Sequence, residues 1–269
     1  MADTIANILS IAGSDPSGGA GIQADLKTFA ARGTYGMAVL TALTAQNTQG
    51  VSGVHLVPPT FVAAQITDIF SDIRVHAVKI GMIAAAEIAE AVATALSSRR
   101  GLPIVVDPVM AAKGGASLLE KQAVEALTRR LLPLATVLTP NLPEAAALLG
   151  ESEAIDRAAM EDQAKRLLAL GPKAVLLKGG HLPGGQSPDV LATAEGQRWF
   201  EGVRVLTRNT HGTGCSLSSA IAAELGKGKP LADAVAAAKS FIAGAVRTSD
   251  ALSVGSGHGP LHHFHALWT

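Results

Sequence analysis

The chain has 269 residues, with 22 Lys plus Arg against 22 Asp plus Glu, so its formal net charge is zero, and only 3% of it is aromatic. A neutral surface poor in stacking rings is expected to engage neither nucleic acid nor a membrane. One cysteine permits no internal disulfide, Asp3 precedes the first apolar run, and no run reaches the roughly 18 apolar residues of a membrane span, so the chain reads as soluble and cytoplasmic.

Residues 4–12 are apolar and β-branched at several positions, which predicts a buried first strand. The loop Gly13-Ser14-Asp15-Pro16-Ser17-Gly18-Gly19-Ala20-Gly21 follows, and Ile22, Leu26, Phe29 and Ala30 then share one helical face that ends at Arg32-Gly33. Strand, loop and helix make the first half of a βαβ unit, whose loop opens at the carboxyl end of a parallel strand, so Gly13 and Asp25 are expected to face a ligand crevice. The loop matches neither a Walker nor a G-x-G-x-x-G pattern. Residues 35–45 read as a second strand running into Gln46-Asn47-Thr48-Gln49-Gly50, either a solvated turn or a recognition edge.

A helix over 61–70, a strand over 75–80 closing on Gly81-Met82, and a helix over 85–96 come next. The strand over 103–106 delivers Asp107 at its carboxyl end, with Pro108-Val109-Met110 beyond. Such an aspartate serves structure as readily as it serves a ligand or a metal. Lys113-Gly114-Gly115-Ala116 is small and flexible enough for a closing flap. A strand over 135–138 ends in Thr139-Pro140-Asn141-Leu142-Pro143-Glu144, where Asn141 and Glu144 have capping-box spacing for a helix to Leu149. After a helix over 160–170, the strand over 174–177 delivers Lys178-Gly179-Gly180-His181, a lysine and paired glycines suited to phosphate.

Residues 190–193 and 198–206 predict a hairpin around Glu195-Gly196. Asn209-Thr210-His211-Gly212-Thr213-Gly214-Cys215 then reads as a loop feeding a helix whose apolar positions are Leu217, Ala220, Ile221 and Leu225. The first amides of such a helix are unpaired and, with the helix dipole, suit an anion such as phosphate; Gly212 and Gly214 let the backbone approach it closely. A last helix over 230–246 carries Pro at its first position. His258, His262, His263 and His265 lack an acidic or thiol companion and read as an uncharged surface tail rather than a metal cluster. Strands and helices alternate throughout, which predicts one domain built on a mostly parallel sheet covered on both faces.

Seven blocks carry a resemblance: residues 12–25 around Gly13-Ser14-Asp15, Thr44-Ala45-Gln46-Asn47-Thr48, Lys79-Ile80-Gly81-Met82, Asp107-Pro108-Val109-Met110, Thr139-Pro140-Asn141-Leu142-Pro143-Glu144-Ala145, Lys178-Gly179-Gly180-His181, and Asn209 through Cys215. In this order, across nearly the whole chain, they resemble the hydroxymethylpyrimidine/phosphomethylpyrimidine kinases. That family has the ribokinase-like fold, a three-layer α/β/α sandwich with a mostly parallel central sheet. The resemblance implies an ATP-dependent and Mg²⁺-dependent homodimer. It would phosphorylate 4-amino-5-hydroxymethyl-2-methylpyrimidine and then the monophosphate.

The resemblance also implies roles. Gln46, Gly13, Asp25, Met82 and Val109 would line the pyrimidine pocket, and the Gln46 amide complements a ring nitrogen beside an exocyclic amine, as it does in adenine. Gly212, Thr213 and Gly214 would hold the transferring phosphoryl group, Lys178 and Asn141 the nucleotide, and Asp107, Asn141 and Glu144 the Mg²⁺, partly through waters. Cys215 stands where the wider ribokinase-like pattern has an aspartate base; a helix N-terminus lowers a thiol's pKa, so a thiolate base is expected. The rivals are a pyridoxal kinase, whose acceptor lacks the exocyclic amine but has an aldehyde a thiol can add to, and a non-catalytic pyrimidine-binding protein, which need keep none of Lys178, Asp107, Glu144 and Cys215.

Overall fold

The computed structural model describes residues 4–110 and 121–268, so the flap expected at Lys113-Gly114-Gly115-Ala116 lies outside the described residues. Eight strands form the central sheet: β1 (Asn7–Ala12), β2 (Tyr35–Leu40), β5 (Ala77–Ile80), β6 (Ile104–Val106), β7 (Val137–Leu138), β8 (Ala174–Lys178), β9 (Asp189–Thr193) and β10 (Gly196–Phe200). Their order is β10-β9-β8-β7-β6-β5-β1-β2, parallel throughout except where β9 runs antiparallel to both its neighbours. Two further strands, β3 (Ala42–Asn47) and β4 (Gly50–Leu56), make a separate antiparallel sheet with a register shift between Ala45 and Gln46.

Each buried strand sends alternate side chains to opposite faces, and each face is covered by its own helices. Leu9, Ile11, Val78, Ile80, Ile104 and Val106 pack with α2 (Pro59–Asp72), α3 (Ala86–Leu96), α5 (Leu142–Leu149) and α6 (Arg157–Leu168). Ile8, Ala77, Val105 and Val137 pack on the other side with α1 (Gly21–Ala31), α7 (Thr213–Gly226) and α8 (Leu231–Arg247). The short helix α4 (Lys121–Ala126) runs into a π-helical turn over Leu127–Leu131, which joins the first cluster. The result is a three-layer α/β/α sandwich. Among the described residues, no helix is long and apolar enough to cross a membrane.

Three sequence expectations need correction. The strand expected over 35–45 is two strands: the chain bends at Thr41, whose hydroxyl donates to the Met82 carbonyl at 2.7 Å, and leaves the central sheet to pair with the unforeseen β4. The second arm of the hairpin stops at Phe200 rather than 206. The histidine tail is not a surface tail, because His262 and His263 are buried and His263 Nε2 lies 2.8 Å from Ser216 Oγ on α7. Burial brings His263 down to about 4, so it is neutral near pH 7 and packs as an uncharged group.

Strand order fixes where a ligand can bind. The chain runs from β1 outward to β2 on one side and returns to β5 on the other, so the connections diverge at the carboxyl ends of β1 and β5 and leave a crevice there. Gly13 follows β1, Met82 follows β5, Asp107 follows β6 and Lys178 ends β8.

Candidate active site

The turn before α7 is held open by its glycines. Gly212 is the N-cap, in the left-handed region at φ 79°, and a Cβ there would collide with the Gly19 carbonyl. The first ladder bond of the helix is Ser216 N–H to the Gly212 carbonyl at 2.9 Å, and Thr213 N–H turns back to the Thr210 carbonyl at 3.3 Å. The amides of Gly214 and Cys215 precede that ladder at the positive end of the dipole, and both residues line the cleft. A Cβ on Gly214 would stand 3.2 Å from Lys178 Nζ, tight enough to press the ammonium back slightly, and 3.7 Å from Asp107 Oδ2, an ordinary contact, so these charges lie directly against the turn.

Lys178, Asp107 and Glu144 form one charged group. Lys178 Nζ lies 3.1 Å from Asp107 Oδ1 and 4.0 Å from Glu144 Oε2, and the Thr139 hydroxyl donates to Asp107 Oδ1 at 3.2 Å. Burial alone would lower Lys178, but the two carboxylates outweigh it and hold the ammonium charged. Glu144 is pushed up to about 7, first by burial and then by Asp107, against the pull of Lys178. One lysine therefore does not neutralise two buried carboxylates, and a dication would. Mg²⁺ is commonly held by one or two carboxylates plus water and phosphate oxygens, so the donor set fits it. Asn141 also completes the capping box of α5: its Oδ1 accepts from Glu144 N–H and Glu144 Oε2 accepts from Asn141 N–H, each at 2.8 Å. The capping and ligand readings of these two residues are thus compatible.

Gly13, Gln46, Met82, Val109, Asp107, Asn141, Glu144, Lys178 and the Gly212-to-Cys215 turn line one cleft of about 1410 Å³. Asp25 is the exception. Its carboxylate is fully buried behind the cleft, held by Lys79 Nζ at 2.9 Å on both oxygens and by the hydroxyls of Ser10 at 2.6 Å and Ser219 at 2.7 Å. A carboxylate so fully engaged positions Lys79, which does line the cleft, and the expectation that Asp25 lines the pocket is corrected. Cys215 sits on the cleft wall. Burial pushes its thiol up to about 11 although the Lys79 ammonium opposes this, so the expected lowering does not occur and the group rests protonated near pH 7.

Three site residues were not assigned roles from sequence. Lys79 is a charged residue in a strand whose four residues are all buried, a signal in itself. Asp15 and His211 sit inside motif loops, where glycines drew the attention. His211 Nε2 lies 2.8 Å from Asp15 Oδ2 and 3.3 Å from Gln46 Nε2.

A glycine-framed helix N-terminus, a buried lysine, and two carboxylates, one just past β6 and one in the first turn of α5, define a kinase of the ribokinase-like class in this sandwich. The family model described as phosphomethylpyrimidine kinase matches residues 15–262, and the chain belongs to that family. A hydroxymethylpyrimidine/phosphomethylpyrimidine kinase of Escherichia coli (strain K12) is 54% identical over 262 residues, 97% of this chain and 98% of the relative. A thiamine biosynthesis bifunctional protein of Geobacter sulfurreducens is 52% identical over 257 residues, 96% of this chain and 52% of that protein. Among solved structures, an ADP complex of Bacillus subtilis pyridoxal kinase superposes with a TM-score of 0.89 at 37% identity, covering 98% of this chain and 99% of that one.

Proposed function

We propose that the chain transfers the γ-phosphoryl group of ATP to 4-amino-5-hydroxymethyl-2-methylpyrimidine and then to the resulting monophosphate, a step of thiamine biosynthesis. The observation that carries this is that Gln46, an amide suited to an aminopyrimidine edge, opens into the same cleft as the amides of Gly214 and Cys215. Met82 and Val109 supply apolar walls for the ring, and Gly13 leaves the space that the Met82 side chain fills, since a Cβ there would overlap Met82 Cε. The α7 turn receives the transferring group, Lys178 balances charge on the nucleotide phosphates, and these preorganised dipoles do most of the catalysis. Asp107, Glu144 and Asn141 would hold Mg²⁺, which when bound neutralises phosphate charge.

The first acceptor is an alcohol. Its oxygen attacks phosphorus, the bond from phosphorus to the bridging oxygen of ADP breaks, and the hydroxyl proton must leave. Cys215 is the group assigned to receive that proton, and because it rests as a thiol, only the small thiolate fraction is ready to act. The second acceptor, a phosphate already largely ionised, needs no such help. The protein acts as a cytoplasmic homodimer in this reading. The half-exposed apolar side chains Leu43, Val54 and Leu56 on the small β3–β4 sheet support a contact with a second copy, and a single-chain mass in sedimentation equilibrium would remove that part.

Pyridoxal remains the second acceptor to test, because the Bacillus subtilis pyridoxal kinase shares the fold so closely. ADP release measured side by side with the pyrimidine alcohol, its monophosphate and pyridoxal separates the readings. Turnover of both pyrimidines is expected; a clear preference for pyridoxal reverses the assignment, and no acceptor-dependent ADP leaves only a binding protein.

A further inference from the structure

Asp15 accepts from Ser17 N–H at 2.9 Å, Ser17 Oγ at 2.6 Å, Gly19 N–H at 3.2 Å and Ala20 N–H at 2.8 Å, as well as meeting His211. Burial alone would raise its carboxyl, but the bonds from His211, Ser17 and Ala20 outweigh that and bring it to about 2. Asp15 is thus an ionised, acceptor-only group near pH 7, and the His211 nitrogen 2.8 Å from it must carry a proton in either charge state of the ring.

That proton decides what Gln46 can present. With Gln46 Nε2 3.3 Å from the protonated His211 Nε2, two donors meet. At the other end of the same amide, Thr44 Oγ1 lies 3.3 Å from Gln46 Oε1, yet its one proton goes to the Ser14 carbonyl at 3.0 Å, an acceptor with no alternative. Two acceptors meet there. Half a turn about the last bond of Gln46, which hardly alters its shape, relieves both conflicts: Oε1 takes the weaker arm of the one His211 Nε2 proton, whose main acceptor is Asp15 at 2.8 Å, and Nε2 donates to Thr44. Each contact among Asp15, His211, Gln46, Thr44 and Ser14 then sets a donor against an acceptor, with the single His211 Nε2 proton shared between Asp15 and Gln46.

We infer that Asp15 and His211, acting with Thr44, lock the Gln46 amide in one orientation, so that the pocket reads the order of acceptor and donor on the heterocycle. This rests on the pyrimidine kinase function proposed above and deepens it: His211 is a specificity-determining positioning residue. An aminopyrimidine carries an acceptor ring nitrogen beside a donor amine; its 4-oxo counterpart reverses the two, with a ring N–H beside a carbonyl. A locked amide accepts one order and rejects the other, whereas a free amide turns over and accepts both. A good bidentate pair discriminates by about tenfold or more.

The test measures kcat/KM by ADP release for 4-amino-5-hydroxymethyl-2-methylpyrimidine and for the 4-oxo analogue. Wild type is compared with His211→Phe, which keeps a ring against Gly19 but has no N–H; with His211→Gln, whose amide can still donate; and with Thr44→Val, an isosteric change at the far end of the chain. Wild type is expected to favour the amino compound by about tenfold or more. That ratio should collapse towards unity in His211→Phe and Thr44→Val, chiefly through KM, and survive in His211→Gln. A ratio unchanged in Thr44→Val while both substrates weaken equally overturns the lock, as does a wild type indifferent to the exchange of amine for carbonyl. Wild-type turnover of neither pyrimidine overturns the lock together with the function it rests on, and that outcome is recognisable because it appears before any substitution is made.

Discussion

At the scale of single residues, the base role proposed for Cys215 predicts that the two transfers respond differently to its loss. General-base help is worth about a hundredfold or more, so Cys215→Ala should lower kcat for the alcohol by about that factor and leave the monophosphate nearly untouched. Because burial holds the thiol at about 11, the thiolate fraction rises with pH across the working range. The wild-type rate with the alcohol should therefore climb between about pH 7 and 9, up to about tenfold per unit, while the rate with the monophosphate stays flatter. Equal loss on both acceptors, or parallel pH profiles, would show that the thiol is not a base. Sequence made the position of Cys215 legible but misjudged its state, because spacing shows the helix N-terminus and not the packing around the sulfur. Asp25 teaches the same lesson: its place after the first loop was right, but Lys79, Ser10 and Ser219, distant in sequence, turn its carboxylate away from the cleft.

At the scale of elements, the capping box of α5 was legible outright, because Asn141 and Glu144 act over three residues. Its energetic conflict was not, since Asp107 and Lys178 reach Glu144 through the fold. A carboxyl raised from 4.5 to about 7 binds its proton more tightly in the folded chain, so stability falls as pH rises through that window and the group contributes nothing below about 4.5. Glu144→Gln keeps the capping hydrogen bonds and removes the titration. In ligand-free protein it should gain on wild type by up to roughly 3 kcal/mol between pH 4.5 and 8, a few degrees in Tm, while losing kinase activity. A variant that melts no higher than wild type at pH 8 contradicts this account of the charge group. The bend at Thr41 escaped sequence reading for a related reason: residues 35–45 keep strand-like composition across it, and the Met82 carbonyl that fixes the bend lies about 40 positions away.

At the scale of the molecule, alternation of strands and helices was enough to give the layers, because each element declares its own period. Strand order was not readable, nor was the tail's course. Residues 258–260 tie the hairpin turn at Thr48 to the loop at His211, through His258 N–H to the Thr48 carbonyl and His211 N–H to the Gly259 carbonyl, at 2.9 and 3.0 Å. The hairpin that carries Gln46 and the loop that leads into α7 are thereby fastened to one strap. In the proposed reaction both reactants occupy the cleft between the hairpin and that loop. A crystal structure with the pyrimidine alcohol and a non-hydrolysable ATP analogue tests this most directly. It should place the terminal phosphate against the amides of Gly214 and Cys215, the ring edge on Gln46, and the hydroxymethyl oxygen facing phosphorus. A terminal phosphate bound away from that turn, or a ring held without Gln46, would contradict the account.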